Sequence, residues 1–123
     1  MSYPMDWQVY GAHKDGSELT SKEIEAFVAL DEDDLLLDDL DWKPVGSFLA
    51  SFSTESCGAY TRITDAVEKY AKLFPDVILQ VVFRDDLEFY PDMVEARDGA
   101  YHEAHAAKRF RYDDTDEEVS MVY

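Results

Sequence analysis

The chain has 123 residues, 46% of them apolar or aromatic, and carries 28 Asp and Glu against 11 Lys and Arg for a formal charge of −17. That length sets one domain, and the apolar content excludes wholesale disorder, which pairs high charge with low hydrophobicity. The charge lies well past the roughly 2 to 8 of an ordinary small domain; it excludes direct binding of DNA, RNA or an anionic membrane, which needs cations to neutralise phosphates, and favours a basic protein surface or metal cations as partner.

Residues 5–12 (MDWQVYGA) read as a first strand, with Trp7 and Val9 on one face and Tyr10 on the other. Lys14 to Gly16 is a turn. Thr20-Ser-Lys-Glu23 has the form of a capping box, so a helix starts at Ser21, and the spacing of Ile24, Phe27 and Val28 carries it to about Leu30. The next stretch is DEDDLLLDDLDW, residues 31–42, in which seven of the first eleven residues are carboxylates. A solvated run does not need leucines. If Leu36, Leu37 and Leu40 dock on the domain, the segment forms a helical turn or two and projects Asp33, Asp34, Asp38 and Asp41 outward.

After Pro44, VGSFLASFST alternates as a strand does, placing Phe48, Ala50 and Phe52 on one face. Gly58 marks a break. Tyr60, Ile63, Val67, Tyr70 and Phe74 then repeat at 3 and 4, as one helical face requires, and Pro75 ends that helix. Residues 77–83 (VILQVVF) are a near-continuous apolar run of strand length, expected at the centre of a sheet. Arg84-Asp85-Asp86 reads as a turn. Leu87 to Val94 alternates, and Pro91 within it implies an edge or a bulge. Asp98-Gly99 is a hairpin signal, with Tyr101 to about Phe110 as the returning strand. A second acidic run, Asp113 to Glu118, precedes VSMVY, which is either frayed or a further short strand. The expected fold is one α+β domain over residues 1–112, with a mainly antiparallel sheet and helices on one face, followed by an acidic tail over 113–123.

The core from FLASFST through the helix closing at Phe74-Pro75 to the Asp98-Gly99 hairpin resembles the YubB-like ferredoxin-fold domains of plasmids and phages. There too a strand ending in F-x-T leads to a helix closing at Phe-Pro, followed by a hairpin, and the Trp7 strand is similar. The resemblance covers about the middle half of the chain. It departs after Thr54, where the family pattern has an aromatic and prolines and this chain has Glu55-Ser56-Cys57-Gly58. The resemblance implies a ferredoxin-like sheet and a mobile-element origin.

Most catalytic motifs fail on spacing. An EF-hand loop starting at Asp31 needs Gly at its sixth position and Glu at its twelfth; Leu36 and Trp42 stand there. His102-Glu103-Ala104-His105 falls one residue short of the i, i+4 histidines of a zinc helix. On a strand those two histidines point to opposite faces. The 5 glycines form no phosphate-cradling loop, and with 28 acids paired carboxylates carry no signal for glycoside hydrolysis. The single cysteine, Cys57, excludes an internal disulfide and fits a reducing compartment. It lies just before a helix, where a thiol pKa can fall, and a later His could act as its base, but no third orienting group is identifiable. The one basic cluster, Lys108-Arg109-Phe110-Arg111, is followed at once by DDTDEE, so it is expected to pair internally. No apolar run reaches bilayer length and no signal peptide is visible; the expected location is the cytoplasm.

Rows of fixed carboxylates on a folded body can imitate the phosphate array of a nucleic acid, which carries one charge per ~1.7 Å of duplex axis. The leading expectation is a nucleic-acid mimic that blocks the cationic surface of a basic nucleic-acid-binding protein, such as a nuclease, restriction enzyme or CRISPR effector, on behalf of a phage or plasmid. Its contacts would be Asp31, Glu32, Asp33, Asp34, Asp38, Asp39, Asp41, Asp85, Asp86, Glu88, Asp92 and Glu95. No catalytic residue, metal ligand or cofactor is assigned. Three alternatives stand beside it: an immunity protein against a basic nuclease toxin, an acidic housekeeping domain of a salt-loving organism, and a small hydrolase using Cys57.

Overall fold

The computed structural model describes residues 5–31, 37, 40–54, 58–85, 92–106 and 109–123. Eight elements follow in the order β1 (Met5–His13), α1 (Ser21–Val28), β2 (Phe48–Thr54), α2 (Gly58–Leu73), β3 (Val77–Asp85), β4 (Asp92–Arg97), β5 (Ala100–Ala106) and β6 (Phe110–Tyr112). The six strands form one sheet in the order β2-β1-β3-β4-β5-β6, and all five neighbouring pairs are antiparallel.

Register explains which residues reach which face. Trp7 pairs with Phe83 and Val9 with Val81, while Val81 pairs with Val94 and Leu79 with Ala96. These residues share one face, and both helices lie on it: Ile24 and Phe27 from α1, and Ile63, Val67, Tyr70 and Ala71 from α2, join them in a single buried cluster. The capping box at Thr20 and Glu23 is present, with each side chain bonded to the other residue's backbone N–H. α2 presents Ile63, Val67 and Tyr70 inward, as their 3- and 4-residue spacing predicts. The Tyr70 hydroxyl donates to the Glu23 carbonyl at 3.0 Å and ties the two helices together. β3, the near-continuous apolar run, sits between β1 and β4, with Val77, Leu79, Val81 and Phe83 buried on the helix face and Gln80 buried between half-buried Ile78 and Val82 on the other.

Four sequence expectations need correction. Arg84 and Asp85 are not a turn; they extend β3, because Asp6 and Met5 of β1 stand opposite and supply partners. The strand expected to end at Val94 runs on to Arg97, because a two-residue hairpin at Asp98-Gly99 sets Arg97 opposite Ala100, while the expected 87–91 part, Pro91 included, lies outside the described residues; both turn residues have positive φ, 55° and 77°, as a type I′ turn requires. The strand expected over 101–110 is two strands, β5 and the short β6, which folds back on it. Finally, Phe48 does not share a face with Ala50 and Phe52. The register shifts between Val9 and Tyr10 so that Phe48 pairs with Tyr10, and their rings meet edge-on at 5.7 Å. The residue skipped by this bulge, Leu49, turns into the main core at 2% exposure.

The sheet's other face carries a smaller cluster of Met93, Ala104, Phe110 and Val119, with Met121 against it. The final residues therefore belong to the fold rather than to a tail.

Candidate functional site

The acidic segment that opens after α1 is anchored by its own first carboxylate. Asp31 does not project: its side chain is 4% exposed and its Oδ1 accepts from Arg62 Nη2 of α2 at 2.6 Å. Its Oδ2 accepts from the Leu37 backbone N–H at 3.0 Å. Leu37 is buried at 1%, Leu40 packs against the same core, and the Trp42 indole N–H donates to the Leu37 carbonyl at 2.8 Å. The leucines thus dock as their pattern implies, at Leu37 and Leu40; Leu36 lies outside the described residues. Asp41 is exposed and paired with Lys43. Glu32, Asp33, Asp34, Asp38, Asp39, Asp86 and Glu88 also lie outside the described residues, and Asp85 ends β3.

Glu95 is a second correction. It was expected at a partner-facing surface and is fully buried. It points to the face opposite the helices, where it accepts from Gln80 Nε2 at 2.8 Å, Arg97 Nε at 2.9 Å and the Tyr112 hydroxyl at 2.6 Å. Gln80 and Arg97 both donate to the Ser120 carbonyl, and Gln80 Oε1 accepts the Val122 N–H. This network fastens the C-terminal residues across the sheet. A buried carboxylate is tolerable only when its lone pairs are satisfied in this way; burial and the bond to Glu95 push the Tyr112 hydroxyl pKa up.

Asp92 alone among the three β4-side expectations (Asp92, Glu95 and Glu88) lies at a described open surface. It lines a groove of about 330 Å³ on the helix face of the sheet, together with Glu103 of β5, Asp113 after β6, Tyr60 of α2 and Phe83 of β3. No Lys or Arg is among the described residues that line it. The Tyr60 hydroxyl donates to Glu103 Oε2 at 3.0 Å. Burial, and then that bond, raise the Tyr60 pKa. His105 stands opposite Asp92 in the β4–β5 register, and its Nδ1 lies 2.6 Å from Asp113 Oδ1. That hydrogen bond raises the imidazole pKa. Glu103 and Asp113 were missed as site residues. Glu103 was legible in outline: a two-residue Asp98-Gly99 turn fixes every opposing pair, so Asp92 falls opposite His105 and Val94 opposite Glu103.

His102 and His105 do sit on opposite faces of β5, the former beside the Tyr112 ring at 5.2 Å. Among the described residues no three His, Cys, Asp or Glu side chains converge on a metal-sized site. The expected internal pairing of the basic cluster is seen at Arg109, 3.1 Å from Glu118, and Arg111, which donates to the Asp116 carbonyl; Lys108 lies outside the described residues. Lys14 pairs with Asp98 across the sheet end.

One further constellation has the distances of a catalytic triad. His13 Nδ1 is 2.9 Å from Ser17 Oγ, and its Nε2 is 2.8 Å from both Glu23 oxygens. Two facts rule against a nucleophilic Ser17. Its hydroxyl lies 2.6 Å from Asp15 Oδ1, which takes its proton. The nearby backbone donors are also committed: Lys14 N–H to Asp76, Gly16 N–H to His13 and Ser17 N–H to Asp15. These three are not available to an oxyanion. The cluster is a structural tie between β1 and the start of α1.

No family model, no curated protein and no solved structure matches this chain.

Proposed function

We propose that the protein is an acidic inhibitor that imitates nucleic acid and occupies the cationic binding surface of a nuclease, restriction enzyme or CRISPR effector. The observation that carries this reading is the groove at the β4–β5–β6 end. Three carboxylates and two aromatic rings converge there with no lysine or arginine among its described lining. A guanidinium suits that lining, since carboxylates accept it bidentately and ring faces attract it. The distribution of the cations supports the same reading. Lys14, Lys43, Arg62, Arg97 and Arg109 are each paired with the chain's own carboxylates, which leaves the formal charge of −17 to be felt outside. Asp31 and Glu95 are withdrawn from the contact set. Asp92 stays and Glu103 and Asp113 join it, beside the acidic residues of 32–41 and 85–88.

A relationship to the plasmid and phage ferredoxin-fold domains is part of this proposal. It is supported by the shared strand-helix-hairpin order and by two helices on one face of an antiparallel sheet. A ferredoxin-like split β-α-β unit also sets another strand between the two strands that its helix joins, whereas here β1 and β2, joined through α1, are direct antiparallel neighbours.

The test is affinity capture from a bacterial lysate with three baits: the native chain, a variant with Asn at Asp33, Asp34, Asp38 and Asp41, and a variant with Asp92→Asn, Glu103→Gln and Asp113→Asn. Elution is in salt steps. Recovery of a basic nucleic-acid-binding protein by the native bait, lost in one or both variants and released by modest salt, is the expected result. Equal recovery by all three baits, or salt-insensitive binding, overturns it.

One observation favours a second reading. Asp113 holds His105 and so supplies the orienting group that a Cys57 hydrolase requires, and α2 begins at Gly58, although Cys57 itself lies outside the described residues. A Cys57→Ala chain that keeps its biological effect removes this alternative.

A further inference from the structure

The two edges of the sheet are treated differently. At β6 the outer edge is covered by the chain itself: the Tyr112 N–H donates to the Glu117 carbonyl, the Val119 N–H to the Phe110 carbonyl, and Arg111 bridges Glu118. At the other end of the sheet, β2 pairs with β1, and among the described residues its one further partner is Val45, which bridges Phe48 at the start of the strand and leaves residues 49–54 as the edge. Its residues 48–54, FLASFST, contain no charged side chain, in a chain that is 32% charged. Proteins ordinarily blunt an edge strand with charges, proline or a covering segment, because its row of free N–H and C=O groups templates another strand. Among the described residues the devices here are the bulge near Leu49 and the Val45 bridge to Phe48; residues 49–54 carry neither charge nor proline, and Phe52 is half-exposed.

We propose that β2 is a self-association edge: two copies pair β2 against β2, antiparallel about a two-fold axis at Ser51, and extend the sheet across both molecules. This register is favoured by the side chains. It sets Ser51 against Ser51 on the outer face, and sets Phe52 against the Ala50 of the other copy on the helix face, large against small. It also brings no carboxylate opposite another, which few other stretches of this chain offer. A strand donated by an unrelated protein is the competing occupant. The second copy is preferred because the edge is charge-free, so it has no electrostatic complement for a basic partner. The acidic groove lies near β5, four strands away at about 4.8 Å each, so pairing leaves it open in both copies.

Self-association also carries a salt signature of its own. Two bodies of charge −17 repel, and salt screens that repulsion, so the dimer strengthens with salt where a complex with a cationic partner weakens. The experiment is sedimentation velocity on the native chain from micromolar to submillimolar concentration, at about 0.05 M and about 0.5 M NaCl. The same series is run on Ser51→Asp, with far-UV circular dichroism to check the fold. Hydrogen exchange on the native chain accompanies it. The expected result is a dimer that gains population at high salt, at least a tenfold weaker dimer for Ser51→Asp, and protection of amides in residues 49–54 that grows with concentration. A native chain that stays monomeric throughout, or a dimer with unchanged exchange in 49–54, overturns the proposal. So does protection of β2 that appears only when another protein is added. The exchange readout decides the matter even if Ser51→Asp fails to fold.

Discussion

Asp31 shows how far a residue's role can depart from its neighbourhood. It begins the most acidic stretch of the chain, yet it is the anchor of that stretch, held by Arg62 and by the Leu37 N–H. Removing Arg62 strands a buried carboxylate. Arg62→Met is expected to cost about 3 kcal/mol in urea denaturation, the lower end for a broken buried pair because Arg62 itself is partly exposed. Asp31→Asn combined with Arg62→Met should cost less than the sum of the two single changes. His13 and Glu23 form the other informative pair. The bond from Glu23 raises the His13 pKa, against an opposing effect of burial. Burial favours the neutral form of Glu23, but the bonds from Thr20 and His13 outweigh it and lower the pKa. The signs then follow from linkage. The His13 contribution is fully present below its ordinary value of 6.5 and is lost as pH rises through its raised value. The Glu23 contribution is present above its ordinary 4.5 and is lost as pH falls through its lowered value. The stability difference between the native chain and His13→Ala should therefore be largest between pH 4.5 and 6.5 and shrink toward alkaline pH. A difference that stays the same from about pH 5 into the alkaline range would mean the tie is packing alone.

Elements here are decided by turns as much as by apolar pattern. The Asp98-Gly99 turn sets the β4–β5 register, and through it both the burial of Glu95 and the position of Glu103 in the groove. Gly99 stands at φ 77°, where a side chain costs about 1–2 kcal/mol. Gly99→Ala should lower the unfolding midpoint by several degrees, read by differential scanning calorimetry, while leaving the far-UV spectrum unchanged. Gly11 in β1 has a different constraint. A methyl group there would come within 2.7 Å of a Leu19 methyl and 3.1 Å of a Leu49 methyl. These are the ends of flexible side chains, so Gly11→Ala should cost about 1–2 kcal/mol rather than unfold the chain. The capping box, both helices and the central strand β3 were all legible from spacing. The β2 bulge was not, because alternation in FLASFST is equally good with Phe48 on either face; only the pairing with Tyr10 chooses.

Across the whole molecule the dominant quantity is the charge. A compact body at −17 repels itself, so the midpoint of thermal unfolding should rise as salt is added up to about one molar, where screening is nearly complete. Partner binding should move the other way with salt. A chain that unfolds at low salt altogether would return attention to a halophilic origin. No helix among the described residues is long and apolar enough to cross a membrane.

What the sequence by itself determined were the quantities that add along the chain or repeat locally: the net charge, the helical faces of α1 and α2, the apolar strand at the sheet centre and the hairpin turn. These rest on composition, on periods of 2 and 3.6 and on backbone preferences, none of which needs a distant partner. Only the tertiary structure decided which carboxylates face inward. Asp31 and Glu95 are ordinary acids by every local measure, and each is buried because distant residues, Arg62 in one case and Gln80 and Tyr112 in the other, come to satisfy it. The fate of the last five residues was settled the same way, since the groups that bind them, Gln80 and Arg97, lie on β3 and β4. Burial of a charge is a property of the pair rather than of the residue, and pairs separated by tens of positions exist only once the sheet has formed.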